Sequence, residues 1–248
     1  IASIVTGSKP STERFKDAWK KVCFNQFHDI LPGTSIHEAM EDCRVAFKEL
    51  LRDANEEYNT TLNSLTSKIQ TKEDGVVVWN MLPQANTSAV TYKGTKTVNE
   101  ISRTFTENGE NYVEFIATDV PAMGYKFYPF SKEKESENVF INNDTIENSF
   151  IKVTYDENGN LTSVYDKENN REVLTDKGNV ISIFIDKCVH ETAWNLEQNY
   201  EKKKWILDKA ESVEITESSP VRAVLKTVRK FNKSTITQNI ILYAESKQ

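Results

Sequence analysis

The feature that most limits what this chain can fold into is a change of hydrophobic period at Lys72-Glu73-Asp74-Gly75. Before it, apolar residues recur every three or four positions: Phe15, Ala18, Trp19 and Val22, then Phe24, Phe27 and Leu31. A longer stripe follows from Ile36 through Met40, Cys43, Phe47, Leu50, Leu51, Ala54, Tyr58, Leu62 and Leu65 to Ile69. That spacing gathers side chains on one face of a helix. After the switch, β-branched and aromatic residues come in short alternating runs, such as Val76-Val77-Val78-Trp79-Asn80, Tyr112-Val113-Glu114-Phe115-Ile116 and Phe150-Ile151-Lys152-Val153-Thr154-Tyr155. Turn pairs separate the runs at Lys93-Gly94, Asn108-Gly109, Met123-Gly124, Asn158-Gly159 and Asn169-Asn170. The chain is therefore expected to be α+β and multidomain: a helical hairpin, part of a three-helix bundle, followed by antiparallel β-sandwich segments.

The helical part carries its own punctuation. Ser11-Thr12-Glu13 offers a hydroxyl cap and an acid in a first turn. Pro32-Gly33 is expected to stop the first helix after Leu31, and Ser35-Ile36-His37-Glu38 matches a capping box that starts the second. Two helices alone bury little, so a third is expected ahead of Ile1. Three domains follow: 1–72 helical, 73–135 a small β module, and 136–248 the N-terminal part of a C-terminal β-sandwich. The charged run Ser131-Lys132-Glu133-Lys134-Glu135-Ser136-Glu137 reads as the join between the β modules or as a solvated loop. The strands Val221–Val228 and Ile236–Tyr243 run almost to the end of the chain, and the sandwich is expected to need more strands.

Composition narrows the function. The 248 residues are 38% hydrophobic, 27% charged and 10% aromatic, enough apolar material for packed cores. The net charge of −6 argues against nucleic acid and against anionic lipid as partners. No apolar run approaches the roughly 20 residues of a membrane span, and Ile1-Ala2-Ser3 lacks the basic start of a signal peptide. Cys23, Cys43 and Cys188 have no metal or redox spacing and read as small hydrophobes in a reducing compartment. The sequons at Asn59, Asn86, Asn143, Asn160 and Asn232 read as chance in a chain rich in Asn, Ser and Thr.

Chemistry concentrates in Asn25-Gln26-Phe27-His28-Asp29-Ile30-Leu31-Pro32-Gly33. By spacing alone, His28 and Asp29 form the polar, water-facing end of a helix. A His suits the negative end of the macrodipole, but the Asp carboxylate is mildly unfavourable there, and a cation nearby would relieve it. His nitrogen and Asp oxygen are both zinc ligands. The remaining histidines do not complete a site: His37 falls in the capping box and His190 in a β-region loop, both expected at the surface. No phosphate loop, G-x-S-x-G elbow or Cys–His pair occurs.

The same string, preceded by Ala18-Trp19, resembles the middle helical domain of glycoside hydrolase family 38, the class II α-mannosidases. Val120-Pro121-Ala122-Met123-Gly124-Tyr125, the stretch Val164–Leu174, and Ser219-Pro220-Val221-Arg222-Ala223 through Ile236-Thr237-Gln238 are similar to its β domains, in the family's order. The resemblance implies a retaining, exo-acting hydrolase of α-linked mannose with one zinc held by two His and two Asp. His28 then matches the metal ligand of the middle domain, and Asp29 a residue that hydrogen-bonds the sugar. The other ligands, the nucleophile and the acid/base belong to an N-terminal catalytic domain, so no catalytic residue is expected in this chain and it is expected to be inactive alone. Trp194 lies in Thr192-Ala193-Trp194-Asn195, where bacterial relatives often carry Asp-Ala-Trp-Asp; it is a candidate to stack on sugar, with a core position as the alternative. The implied partners are a mannose oligosaccharide and that N-terminal domain, in a bacterial cytoplasm. Two other readings compete: a non-catalytic carbohydrate-binding sandwich, and a helical assembly domain for homo-oligomers.

Overall fold

The computed structural model describes residues 5–7, 11–134, 139–190 and 194–247. They divide into two compact units: residues 1–72 with 185–202, and 73–184 with 203–248.

The first unit is built on two helices, α1 (Thr12–Phe24) and α2 (His37–Thr66). Ser11 caps α1 by accepting the Arg14 N–H, as its sequence position suggests. Arg14 reaches across to Glu57 at 2.8 Å, tying α1 to α2 through an exposed pair. Burial is sparse: α1 contains no buried residue, and α2 buries only Leu65. Phe15, Trp19, Leu51 and Tyr58 stay exposed on the stripe that sequence assigned to packing. A short 3-10 turn, Tyr200–Lys202, belongs to the same unit.

Two expectations for this unit fail. Helix α1 ends at Phe24, not after Leu31. The Asn25 side chain donates to the Lys21 carbonyl at 2.8 Å, sharing that acceptor with its own N–H at 3.2 Å, and residues 25–33 continue as single turns. Pro32 then forbids recovery of the helix, and Gly33 sits at φ 78°. The capping box is also absent. Helix α2 begins after Ile36, which has no side-chain cap bond, so Ser35 lies one residue too far out to serve.

The second unit is antiparallel throughout its named strands. Strands β1 (Gly75–Asn80), β2 (Asn86–Lys93), β3 (Ser102–Glu107), β4 (Glu110–Val120) and β5 (Gly124–Pro129) make a two-stranded β1-β5 sheet and a three-stranded β2-β4-β3 sheet. The two pack around Val98, Phe115, Ala117, Val120 and Tyr128. Strands β6 (Val139–Ile141), β7 (Thr145–Asn148), β8 (Ile151–Tyr155), β9 (Leu161–Asp166) and β10 (Arg171–Glu172) form a meander in order β10-β9-β8-β7-β6. Strands β11 (Ser182–Phe184) and β12 (Lys204–Ile206) pair with each other, and β13 (Ser212–Ser218), β14 (Arg222–Phe231) and β15 (Ser234–Tyr243) form a last sheet in chain order. Ile146, Val153 and Tyr155 of the meander meet Ala223, Leu225 and Leu242 of the last sheet, which makes a sandwich.

Strand β4 departs from simple alternation: five consecutive residues, Val113 to Ala117, are buried. One face enters the first core. On the other, Ile116 packs with Ile101, Val221 and Ala244, so the small module and the sandwich share an apolar contact. Glu114 lies on that second face and is 6% exposed at its side chain, bonded to Arg103 at 2.5 Å and to Arg222 at 3.3 Å. Glu217 closes the square, 3.2 Å from Arg103 and 3.0 Å from Arg222. A buried carboxylate is tolerable only with such partners. The described residues of the charged run after Phe130, 131–134, are exposed, and Ser131 and Lys134 bond back to Thr97 and Glu100. Its residues 135–137 lie outside the described residues.

Candidate functional site

The three residues singled out from sequence, His28, Asp29 and Trp194, all fall in the helical unit. His28 and Asp29 occupy the run of turns after α1, which is held by Ile30 and Leu31 N–H bonds to the Phe27 carbonyl and by Thr34 N–H to the Asp29 carbonyl at 3.0 Å. Buried Asn25 anchors the start of the run through Lys21. The Thr34 hydroxyl donates to the Asp29 carbonyl at 3.3 Å and stands 3.5 Å from Oδ1 of the same residue. These contacts hold the backbone while both candidate side chains remain accessible to solvent.

His28 is 71% exposed and Asp29 37% exposed at the side chain, with His28 Nε2 3.6 Å from Asp29 Oδ2. That separation is an ion-pair distance, longer than a hydrogen bond. The Phe27 ring lies 4.2 Å from the imidazole, centroid to centroid, and limits how far it can swing. The result is one imidazole and one carboxylate, side by side and open. Among the described residues no group of three or more His, Cys, Asp or Glu is gathered to hold a metal ion.

Trp194 is 58% exposed in this chain. Thr192 and Ala193 lie outside the described residues, and among the described residues no ring contact or hydrogen bond ties Trp194 to His28 or Asp29. His37 opens α2 and His190 accepts a bond from Cys188 Sγ through its carbonyl; both are exposed. The three cysteines are free thiols. A hollow of about 370 Å³ lies between α1 and α2, lined by Phe15, Ala18, Leu50 and Ala54 and rimmed by charges, but it includes neither His28 nor Asp29.

The perturbed acids of the β unit serve structure. Burial works against ionisation of Asp156, but Lys177 and the Asn158 and Asn160 N–H groups outweigh it and hold the carboxyl at about 2. Glu172, held at about 2, accepts from the Ser163 hydroxyl and from the Leu174, Val164 and Val173 N–H groups. Burial, with Glu100 and Asp119 adding, pushes the Tyr128 phenol up to about 12. Sequence reading missed the Asn25 and Thr34 anchors and the Glu114 square. For Asn25 and Glu114 the signal was a polar residue inside an apolar run; Thr34, after Pro32-Gly33, carried no such signal.

Comparison with known proteins gives two family matches and one fold. Residues 1–65 match the alpha mannosidase middle domain, and residues 146–248 match the C-terminal domain of glycosyl hydrolases family 38. Together these cover well over half of the chain. No curated protein matches. Among solved structures, an alpha-mannosidase from Enterococcus faecalis V583 has the same fold over 99% of this chain, with a TM-score of 0.77 and 17% identity. This chain spans 37% of the length of that structure.

Proposed function

Since the chain belongs to glycosyl hydrolase family 38, we propose that it is the middle and C-terminal part of an α-mannosidase that removes terminal α-linked mannose from oligosaccharides with retention. One observation carries the reading: an open imidazole and carboxylate 3.6 Å apart lie inside the stretch that matches the middle domain.

Imidazole nitrogen and carboxylate oxygen are donors that zinc accepts, so the pair fits the edge of a zinc site but falls short of the four ligands a closed site needs. His28 supplies one ligand, and the remainder come from a catalytic domain outside this chain. A bound zinc supplies Lewis-acid polarisation and an anchor for sugar hydroxyls. Asp29 takes a hydrogen bond from a hydroxyl of the terminal mannose through a carboxyl oxygen, its backbone held by Thr34. Trp194 offers an exposed apolar face to a sugar ring. Retention requires two carboxyl groups roughly 5 Å apart, a nucleophile and an acid/base. Both are assigned to the catalytic domain, so this chain alone is inactive. Three free thiols support a reducing, cytoplasmic setting, and the Enterococcus structure supports a bacterial one.

The test is α-mannoside hydrolysis by the polypeptide that joins this chain to the catalytic region, with and without a chelator. Chelation is expected to abolish turnover and zinc to restore it. Turnover indifferent to chelation removes the zinc from the reading. The exposure of Trp194 also favours a second reading, a carbohydrate-binding module. Mannosides that bind this chain tightly by itself, with no hydrolysis in the joined polypeptide, would select that one.

A further inference from the structure

The chain contains two Asn-Gly pairs, Asn108-Gly109 and Asn158-Gly159, and the fold treats them oppositely. Asn108 and Gly109 are the two-residue turn between β3 and β4, closed by the Glu107–Glu110 pair, with φ of 53° and 79°. Both are exposed. Space around Gly109 is open, with no heavy atom within 4 Å of where a Cβ would stand. Among the described residues neither the Gly109 N–H nor the Asn108 side chain has a hydrogen-bond partner.

The second pair is locked. Gly159 donates its N–H to the Asp156 carbonyl at 2.9 Å, and Asn158 donates its own N–H to Asp156 Oδ1 at 2.9 Å. Asn158 Oδ1 accepts the Ala210 N–H at 3.1 Å, and the Asn158 carbonyl accepts from buried Arg229 at 2.5 Å. Gly159 is buried, with Thr227 Cγ2 2.3 Å from where a Cβ would be. The peptide between 158 and 159 cannot rotate without breaking several of these bonds.

We infer that the Asn108-Gly109 turn is a spontaneous deamidation site and that Asn158-Gly159 is protected by its network. At the open turn, the Gly109 amide nitrogen attacks Cγ of Asn108 and forms a five-membered succinimide. The side-chain Nδ2 leaves as ammonia, taking up the proton lost from Gly109. Water then opens the ring at either carbonyl, giving aspartyl or isoaspartyl 108; the net change is one water consumed and one ammonia released. The product adds a carboxylate between Glu107 and Glu110, the latter already paired with Lys93 at 2.9 Å. The isoaspartyl form also lengthens the backbone by one carbon, which a two-residue hairpin turn cannot accommodate.

The test is to incubate the folded chain at mildly alkaline pH and physiological temperature and follow both sites by peptide mapping, with a parallel sample in denaturant. Asn158 reacts only through local opening, so conversion at Asn108 is expected to be at least about tenfold faster in the folded chain. In denaturant the ratio should fall close to one. An Asn108→Gln variant, exposed and free of packing, should stop most of the folded chain's drift to acidic forms. Three results would overturn the inference: Asn158 keeping pace in the folded chain, no conversion at Asn108 while the denatured sample converts, or an unchanged drift in Asn108→Gln.

Discussion

His28 and Glu114 show two opposite ways a polar side chain can matter. The His28 side chain is 71% exposed, so its removal leaves no cavity. His28→Ala is expected to change folding stability by less than about 0.5 kcal/mol, measured by chemical denaturation. A loss of several times that size would give the residue a structural role and weaken its reading as a ligand. Glu114 is the reverse. It sits 6% exposed between two guanidinium groups, and Arg222 is 108 positions away in sequence. Glu114→Gln strands those charges and is expected to cost about 3–5 kcal/mol, with Glu217 holding the loss toward the lower end. A denaturation midpoint near the parent's would mean that the square stabilises little. Sequence gave access to His28 and Asp29 because they are neighbours inside a distinctive string. It gave no access to Glu114, whose alternating run predicts a strand but not what covers its second face.

At the scale of elements, the change of period at residues 72–75 was legible because it depends on local spacing, and strands β1, β4, β8, β14 and β15 fall where alternation placed them. The end of α1 was not legible, since apolar periodicity continued through Phe27 and Leu31 while Asn25 was already bonding the Lys21 carbonyl. There a side chain sharing a backbone acceptor outweighed the pattern. The turns of the meander carry a pH dependence. Asp156 and Glu172 are held at about 2, below ordinary carboxyl values of 3.8 and 4.5. Because both folded values are depressed, their contribution is fully present above about pH 4.5 and lost as pH falls through about 2. Denaturation midpoints between pH 6 and 2, taken as approximate bounds, should therefore drop most steeply below about pH 4.5, and Glu172→Gln should flatten part of that slope. An identical profile in the variant would remove Glu172 from the account.

Across the whole molecule, the two units differ in how much they bury. The β unit has three apolar clusters, while α1 and α2 together bury a single residue. Stability should be unequal in the same sense. Amides of α1 and α2 are expected to exchange with deuterium well before those of β4 and β14, and equal protection would show that the helices gain support these contacts do not reveal. The sparse burial also accords with a chain that spans 37% of the alpha-mannosidase whose fold it matches. In the proposed function, His28 contributes one edge of a zinc site. The most direct measurement is zinc content and kcat/KM of the polypeptide containing both this chain and the catalytic region, as wild type, His28→Ala and His37→Ala. Wild type and His37→Ala are expected to hold about one zinc per chain and to be fully active. His28→Ala is expected to lose the metal and at least about a hundredfold in kcat/KM. A His28→Ala enzyme that keeps its zinc and its activity would exclude His28 as a ligand.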